Sequence, residues 1–112
     1  MIRALGSSLS GIISSFKILD AASGNIANAD TNGYKTKGVV LRESGGGVSA
    51  AVSTDNSPGP MFQLDGRIFE GSNVNIASEM VSLITAQRMF SFNAAAFKTA
   101  SEMEKSLIDT IA

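Results

Sequence analysis

A chain of 112 residues supports one domain at most, and its net charge of −1 gives no basic face for nucleic acid. It has no cysteine and no histidine, which excludes disulfides, cysteine-ligated metals and a conventional Ser-His-Asp triad. It also lacks an apolar run of 18 residues, so we expect no transmembrane segment. Because no nucleophile can be matched with a base, we predict that the protein is not an enzyme and uses no cofactor, metal or small-molecule substrate.

The beginning of the chain predicts an amphipathic helix over residues 2–28. Apolar residues recur there every seven positions, a period that keeps one edge of a helix against a partner along its whole length. Glycine and serine are frequent and give a poor helix propensity, so we expect this helix to be frayed in the free chain and to order on association. A cleavable signal peptide is the less favoured interpretation, because Gly and Ser interrupt the apolar run that follows Arg3. The predicted seam of this helix consists of Leu5, Leu9, Ile12, Phe16 and Leu19.

The middle of the chain predicts a small β region over residues 34–70. Residues 28–33 form a dense turn signal, in which Gly33 can take a positive φ without steric cost. Two strands are expected on either side of Gly45-Gly46-Gly47, and Asp65-Gly66 predicts a two-residue hairpin turn. We expect the apolar flanks of that hairpin to bury a small sheet; they are Met61, Phe62, Leu64, Ile68 and Phe69.

The end of the chain predicts a second helix over residues 76–110, with Asn75 as its N-cap and Glu79 near the positive end of its dipole. Its seam, facing that of the first helix, consists of Met80, Leu83, Phe90 and Phe97. A second apolar row lies well around the helix, and one helical partner cannot cover both rows. Either the small sheet covers this second row or another subunit does. The second row consists of Met89, Phe92, Ala96 and Met103.

These elements together predict a single domain over residues 1–112 with an α+β, mainly α, fold. The two terminal helices are expected to pair as an antiparallel, coiled-coil-like hairpin, with the small β-rich segment between them.

Two segments carry a more specific signal than any of these spacings. Residues 25–35, NIANADTNGYK, closely resemble the N-terminal motif of bacterial flagellar axial proteins, which reads roughly N-I/L-A-N-x-x-T-P-G-Y-K. Residues 70–88, EGSNVNIASEMVSLITAQR, resemble the matching C-terminal motif of rod and hook proteins in that family. One departure is Asn32, which stands where the family usually has proline, so this turn should be looser. The residues that match are Asn25, Ile26, Ala27, Asn28, Thr31, Gly33, Tyr34 and Lys35 in the first motif, and Ser72, Asn73, Val74, Asn75, Glu79, Gln87 and Arg88 in the second.

The resemblance implies a structural subunit of the flagellar basal-body rod, in length most like a proximal rod protein. Such subunits are exported through the flagellar type III apparatus without a cleaved signal. They assemble with copies of themselves and with other rod and axial proteins into the drive shaft that crosses the periplasm. The alternative from a different class is a small helical-hairpin adaptor that binds another protein. The rod interpretation predicts helices that order on assembly, whereas the adaptor interpretation predicts a stable monomer or dimer.

Overall fold

A computed structural model describes residues 2–112 of the chain. Two helices enclose two β-hairpins in the chain, which confirms the predicted α+β, mainly α, fold. The helices run antiparallel, because Ile2 at the start of the first lies beside Ile111 at the end of the second. The molecule measures 78 × 22 × 14 Å, so it is long and narrow. The elements are α1 (Ile2–Ala27), β1 (Lys37–Ser44), β2 (Gly47–Thr54), β3 (Met61–Leu64), β4 (Arg67–Glu70) and α2 (Ile76–Ile111).

Small and polar side chains form the centre of the interface between α1 and α2. Gly11 lies against Asn93, and a methyl group at position 11 would overlap the Asn93 carboxamide. The buried residues of α2 repeat every seven positions, which is the period of a helix-to-helix seam. The most buried of them, Ala86, is 3% exposed. The buried residues that face each other are Ser8, Gly11, Ser15 and Ala22 on α1, and Glu79, Ala86 and Ala100 on α2.

The predicted seam of large apolar side chains lies beside this centre. Its residues follow one flank of the helix pair, where Phe16 and Phe90 meet across the two helices, and all of them are exposed or half-buried. The buried residues at the centre of the interface have the same seven-residue period as the predicted seam. They are mostly small, because only small side chains let the two helices approach closely. The predicted seam residues are Leu5, Leu9, Ile12, Phe16, Leu19, Met80, Leu83, Phe90 and Phe97.

The hairpin β1–β2 packs along α1 on a different side from α2. Ser7 Oγ donates to the Gly46 carbonyl at 2.6 Å, and the Val48 N–H donates to Ser10 Oγ at 3.0 Å. Further along α1, Lys17 Nζ donates to the Ala50 carbonyl at 3.1 Å. Two serines of α1, Ser7 and Ser10, therefore help to hold this hairpin against the helix.

The second hairpin, β3–β4, stands apart from the rest of the fold. Its turn is Asp65-Gly66, as predicted, with φ of 52° and 75°. Its strands pack against neither helix and not against β1–β2. The expectation that its apolar side chains bury a small sheet was wrong, since Ile68 is 74% exposed and Met61 is 63% exposed. Two strands of four residues have no second layer to cover them here.

The second apolar row of α2 is also uncovered within the described residues. Helix α2 packs on α1, and both hairpins lie elsewhere. Phe92 is 73% exposed as a result, so the explanation that the small sheet covers this row was wrong. That another subunit covers the row stays a prediction. Between residues 2 and 112, no helix combines the length and the apolar character that crossing a membrane would require.

Candidate assembly site

The first part of the candidate site is a polar junction in which the two sequence motifs meet. At its centre Asn25, the last buried residue of α1, is fully buried. Its Nδ2 donates to the Lys37 carbonyl at 2.8 Å, and its Oδ1 accepts the Lys37 N–H at 2.9 Å. The Asn25 amide thus pairs with the first residue of β1 as a neighbouring strand would. The Tyr34 hydroxyl donates to the same Oδ1 at 3.0 Å, which ties the intervening turn to both.

Asn73, from the second motif, joins two other segments of the junction. Its Oδ1 accepts hydrogen bonds from the Thr36 N–H at 2.7 Å and from the Thr36 hydroxyl at 2.8 Å. Its Nδ2 donates to the carbonyls of Asp55 and Ser57, each at 2.9 Å. An aliphatic residue here would leave four polar groups without this partner, so the amide itself explains why asparagine suits the position.

The turn after α1 is stabilised by an asparagine that bonds to the end of the helix and by a glycine at a positive φ. Asn28 Nδ2 donates to the Gly24 carbonyl at 2.8 Å, and the Asn28 backbone N–H donates to the same carbonyl at 3.1 Å. The Tyr34 N–H then donates to the Thr31 carbonyl at 3.2 Å, with Gly33 at φ 73° in the third position, as a type II turn requires. Asn32 occupies the second position, where proline is common in such turns.

An ion pair closes the junction on the side of the second hairpin. Lys35 Nζ contacts Glu70 Oε1, and the same oxygen accepts the Gly59 N–H at 2.9 Å. The Lys35 ammonium, and after it the Gly59 N–H, hold the pKa of the Glu70 carboxyl below its ordinary value of 4.5. The pKa of Asp55 is also lowered, chiefly because the Ser57 hydroxyl and N–H both donate to it. Both carboxylates are therefore stabilised in the charged form.

The predicted motif residues divide into four groups in the structure. Asn73 and the residues of the first motif other than Ile26 and Ala27 lie in the junction, with Ser72 buried beside it. Asn75 caps α2, accepting the Ser78 N–H at 3.2 Å, and Glu79 is buried against α1. Gln87 and Arg88 are exposed on α2, outside the junction. Ile26, Ala27 and Val74 form none of the polar contacts described here.

Sequence reasoning missed several residues of the junction. Thr36 directly follows Lys35, and Glu70 begins the second motif stretch, two residues before Ser72. The Asp-x-Ser pattern of residues 55–57 is a recognisable signal for a side chain that bonds the backbone two residues on. Nothing in the local sequence indicated that this turn would meet Asn73.

The second part of the candidate site is an apolar cleft on the flank of the helix pair. The rings of Phe16 and Phe90 have centroids 5.6 Å apart at an angle of 55°, a favourable tilted geometry. The cleft has a volume of about 390 Å³, and its surface is almost wholly apolar. Phe16 is 50% exposed, so the cleft is open to solvent. Its lining residues are Ser15, Phe16, Leu19, Leu83, Ala86, Gln87 and Phe90.

The polar junction is suited to joining segments of the chain, and the apolar cleft is suited to contact with another surface. The junction's polar side chains are occupied by one another and by backbone groups, and the cleft contains no ionisable side chain. Among residues 2–112, no group of three or more acidic, histidine or cysteine side chains is arranged to hold a metal ion.

The family model described as "Flagellar basal body rod FlgEFG protein C-terminal" matches residues 65–110. The match begins in the β3–β4 turn and includes nearly the whole of α2. A comparison with curated proteins found no match.

Proposed function

We propose that this chain, whose residues 65–110 match the flagellar basal-body rod family, is a structural subunit that polymerises into the axial shaft. In this proposal the terminal helices carry the contacts between copies and with other rod and axial proteins. The chain is exported by the flagellar export apparatus without a cleaved signal, and it acts in the periplasmic part of the basal body.

The observation that carries the proposal is the amount of surface that the single chain leaves uncovered. Its accessible area is 7653 Å². A compact protein of 11.6 kDa would expose about 5,800 Å². The excess of about 1,800 Å² is close to the area that one protein contributes to two standard interfaces, which is about 800 Å² for each interface. Two such areas are what a subunit needs when it contacts one copy below and another above.

The character of that surface supports association more than solubility. Large apolar side chains are exposed on the flank of the helix pair, on the second row of α2 and on β3–β4. Monomeric soluble proteins rarely expose apolar patches of this extent unless the patches bind a partner. The elongated shape adds to this, because the radius of gyration of 19.8 Å exceeds the roughly 13 Å expected of a compact domain of this length.

Charged substitutions on the flank test the proposal. We expect Phe16→Asp and Leu83→Asp to abolish sedimenting polymers of the purified protein and to stop swimming when each replaces the original gene in a flagellated bacterium. A carboxylate buried in an apolar contact is strongly disfavoured, whereas in the free monomer both residues line a cleft that is open to solvent. The matched control is Thr99→Asp, at an exposed polar position of α2, the helix that contains Leu83. This variant should polymerise and swim normally.

Export is measured separately in the same strains, as the amount of chain released to the medium. We expect it to persist in the Asp variants, because export precedes assembly. Normal swimming of both flank variants would overturn the role of this surface. Hydrogen exchange distinguishes the adaptor alternative: strong protection of residues 2–28 in a monodisperse monomer that stays monomeric at high concentration would contradict the rod proposal.

A further inference from the structure

The hairpin β3–β4 is fastened to the molecule only at its base. The Gly33 N–H donates to the Glu70 carbonyl at 2.8 Å, and the Gly71 N–H donates to the Pro60 carbonyl at 2.7 Å. Past these bonds and the Lys35–Glu70 ion pair, its strands touch no other strand or helix of the chain. An isolated two-stranded hairpin is at best marginally stable in water, so contact with another surface would stabilise it.

One face of this hairpin is strongly apolar. Phe62 is paired with Phe69 across the strands, and their rings stack with centroids 5.7 Å apart. Because side chains alternate between faces, Leu64 lies on the same face, and its cross-strand partner Arg67 is the one charged residue there. The face is therefore a compact apolar surface with a cation at its rim.

The hairpin and the junction extend the molecule beyond its helix pair. Helix α2, with 36 residues, is about 54 Å long, so about 24 Å of the 78 Å length lies past it. The hairpin joins α2 at its N-terminal end, and its strands do not contact the Phe16–Phe90 cleft of their own chain. A projecting element of this kind is placed to reach a neighbouring molecule.

The cleft and the hairpin face match in size. From Leu83 to Phe90 the cleft runs seven residues along α2, which is about 10 Å. Alternate side chains of a strand, such as those of Phe62 and Leu64, are about 7 Å apart, so both fit within that length. A docked helix would require a groove several turns long, whereas this cleft spans two.

We propose that the Phe62–Leu64–Phe69 face of β3–β4 in one copy docks into the Phe16–Phe90 cleft of a second copy. This inference rests on the proposed function, since it names the surfaces through which copies associate. The two surfaces differ, so the contact is heterologous, and its repetition generates an open chain of subunits rather than a closed dimer. Each copy then gives one hairpin side to one neighbour and one cleft side to the other.

The absence of native cysteine makes disulfide trapping a clean test. The chain carrying Leu64→Cys is mixed with a chain carrying Leu83→Cys and oxidised at a concentration that gives polymers. We expect a covalent heterodimer, and a ladder of covalent oligomers when one chain carries both substitutions. The matched control pairs Leu64→Cys with Met103→Cys, an exposed position around α2 from the cleft, and should give at least tenfold less product.

Failure of this inference is distinguishable from failure of the proposed function. Polymers that sediment normally but crosslink equally well in the control pair would overturn the hairpin–cleft contact and leave the rod proposal standing. No polymer of the unsubstituted chain at any concentration would overturn both. As a second measurement, Leu64→Asp should reduce polymer yield at least tenfold, whereas Gln63→Asp, on the opposite face of β3, should not. Equal yields from these two variants would also contradict the contact.

Discussion

The hydroxyl of Tyr34 donates to the side-chain oxygen of Asn25 across 3.0 Å, inside a site where Asn25 is completely buried. Asn25 also satisfies both backbone groups of Lys37. We therefore expect Asn25→Ala to lower the free energy of unfolding by about 2–4 kcal/mol, because it leaves several buried polar groups unpaired. Tyr34→Phe should cost only about 1 kcal/mol, since Asn25 keeps its two bonds to Lys37.

Urea unfolding measures both changes. Asn56→Ala, at an exposed position, is the matched control and should alter the free energy of unfolding by less than about 0.5 kcal/mol. If Asn25→Ala were as mild as this control, the junction would not be the joint described here.

Close approach of the helices at Gly11 makes a second prediction. Alanine is intrinsically better in a helix by about 1 kcal/mol, but at this position its methyl group overlaps Asn93. We expect Gly11→Ala to destabilise the chain by about 1–3 kcal/mol in thermal or urea unfolding. Gly6→Ala is the control: it lies on the same helix with no atom within 4 Å of the added methyl, and should stabilise by up to about 1 kcal/mol. Two equal effects of the same sign would show that propensity, not packing, governs α1.

Stability should fall at acid pH in a way that depends on Glu70. Its pKa is lowered in the folded chain, so its contribution is fully present above the ordinary value of 4.5 and is lost as the pH falls through the folded value. The midpoint of urea unfolding, followed from about pH 6 down to pH 3, should therefore change less in Glu70→Gln than in the unsubstituted chain. Lys35→Gln should flatten the curve similarly, and part of the slope should remain because the pKa of Asp55 is lowered too. Identical curves in all three proteins would contradict this account of the ion pair.

Asn32 provides a stabilising prediction. It holds the second position of the type II turn, where its φ is negative and its N–H has no backbone hydrogen bond. Asn32→Pro should raise the free energy of unfolding by about 0.4–1 kcal/mol, by reducing the freedom of the unfolded chain. Gly33→Ala, in the positive-φ position beside it, should instead destabilise by about 1 kcal/mol. A lower melting temperature for Asn32→Pro would mean that the turn has a different geometry.

Local signals in the sequence determined the elements and their ends. Asn75 caps α2 because its side chain can accept an N–H of the first turn, and that requirement is visible in residues 75–79. Asp65-Gly66 specifies its hairpin turn because few dipeptides tolerate two positive φ angles. The seven-residue period likewise showed that each helix has a partner along its length.

Only the tertiary structure decided which row of each helix faces that partner. In α1, Ser8, Ser15 and Ala22 share the seven-residue period with Leu5, Ile12 and Leu19, so periodicity alone cannot choose between the rows. Large apolar side chains were expected inside because burial normally stabilises them most. Helix α1 is packed by α2 on one side and by β1–β2 on another, however, and that close packing admits only small side chains. The large ones are consequently left on the outer flank, a placement set by distances between elements that no local pattern of residues encodes.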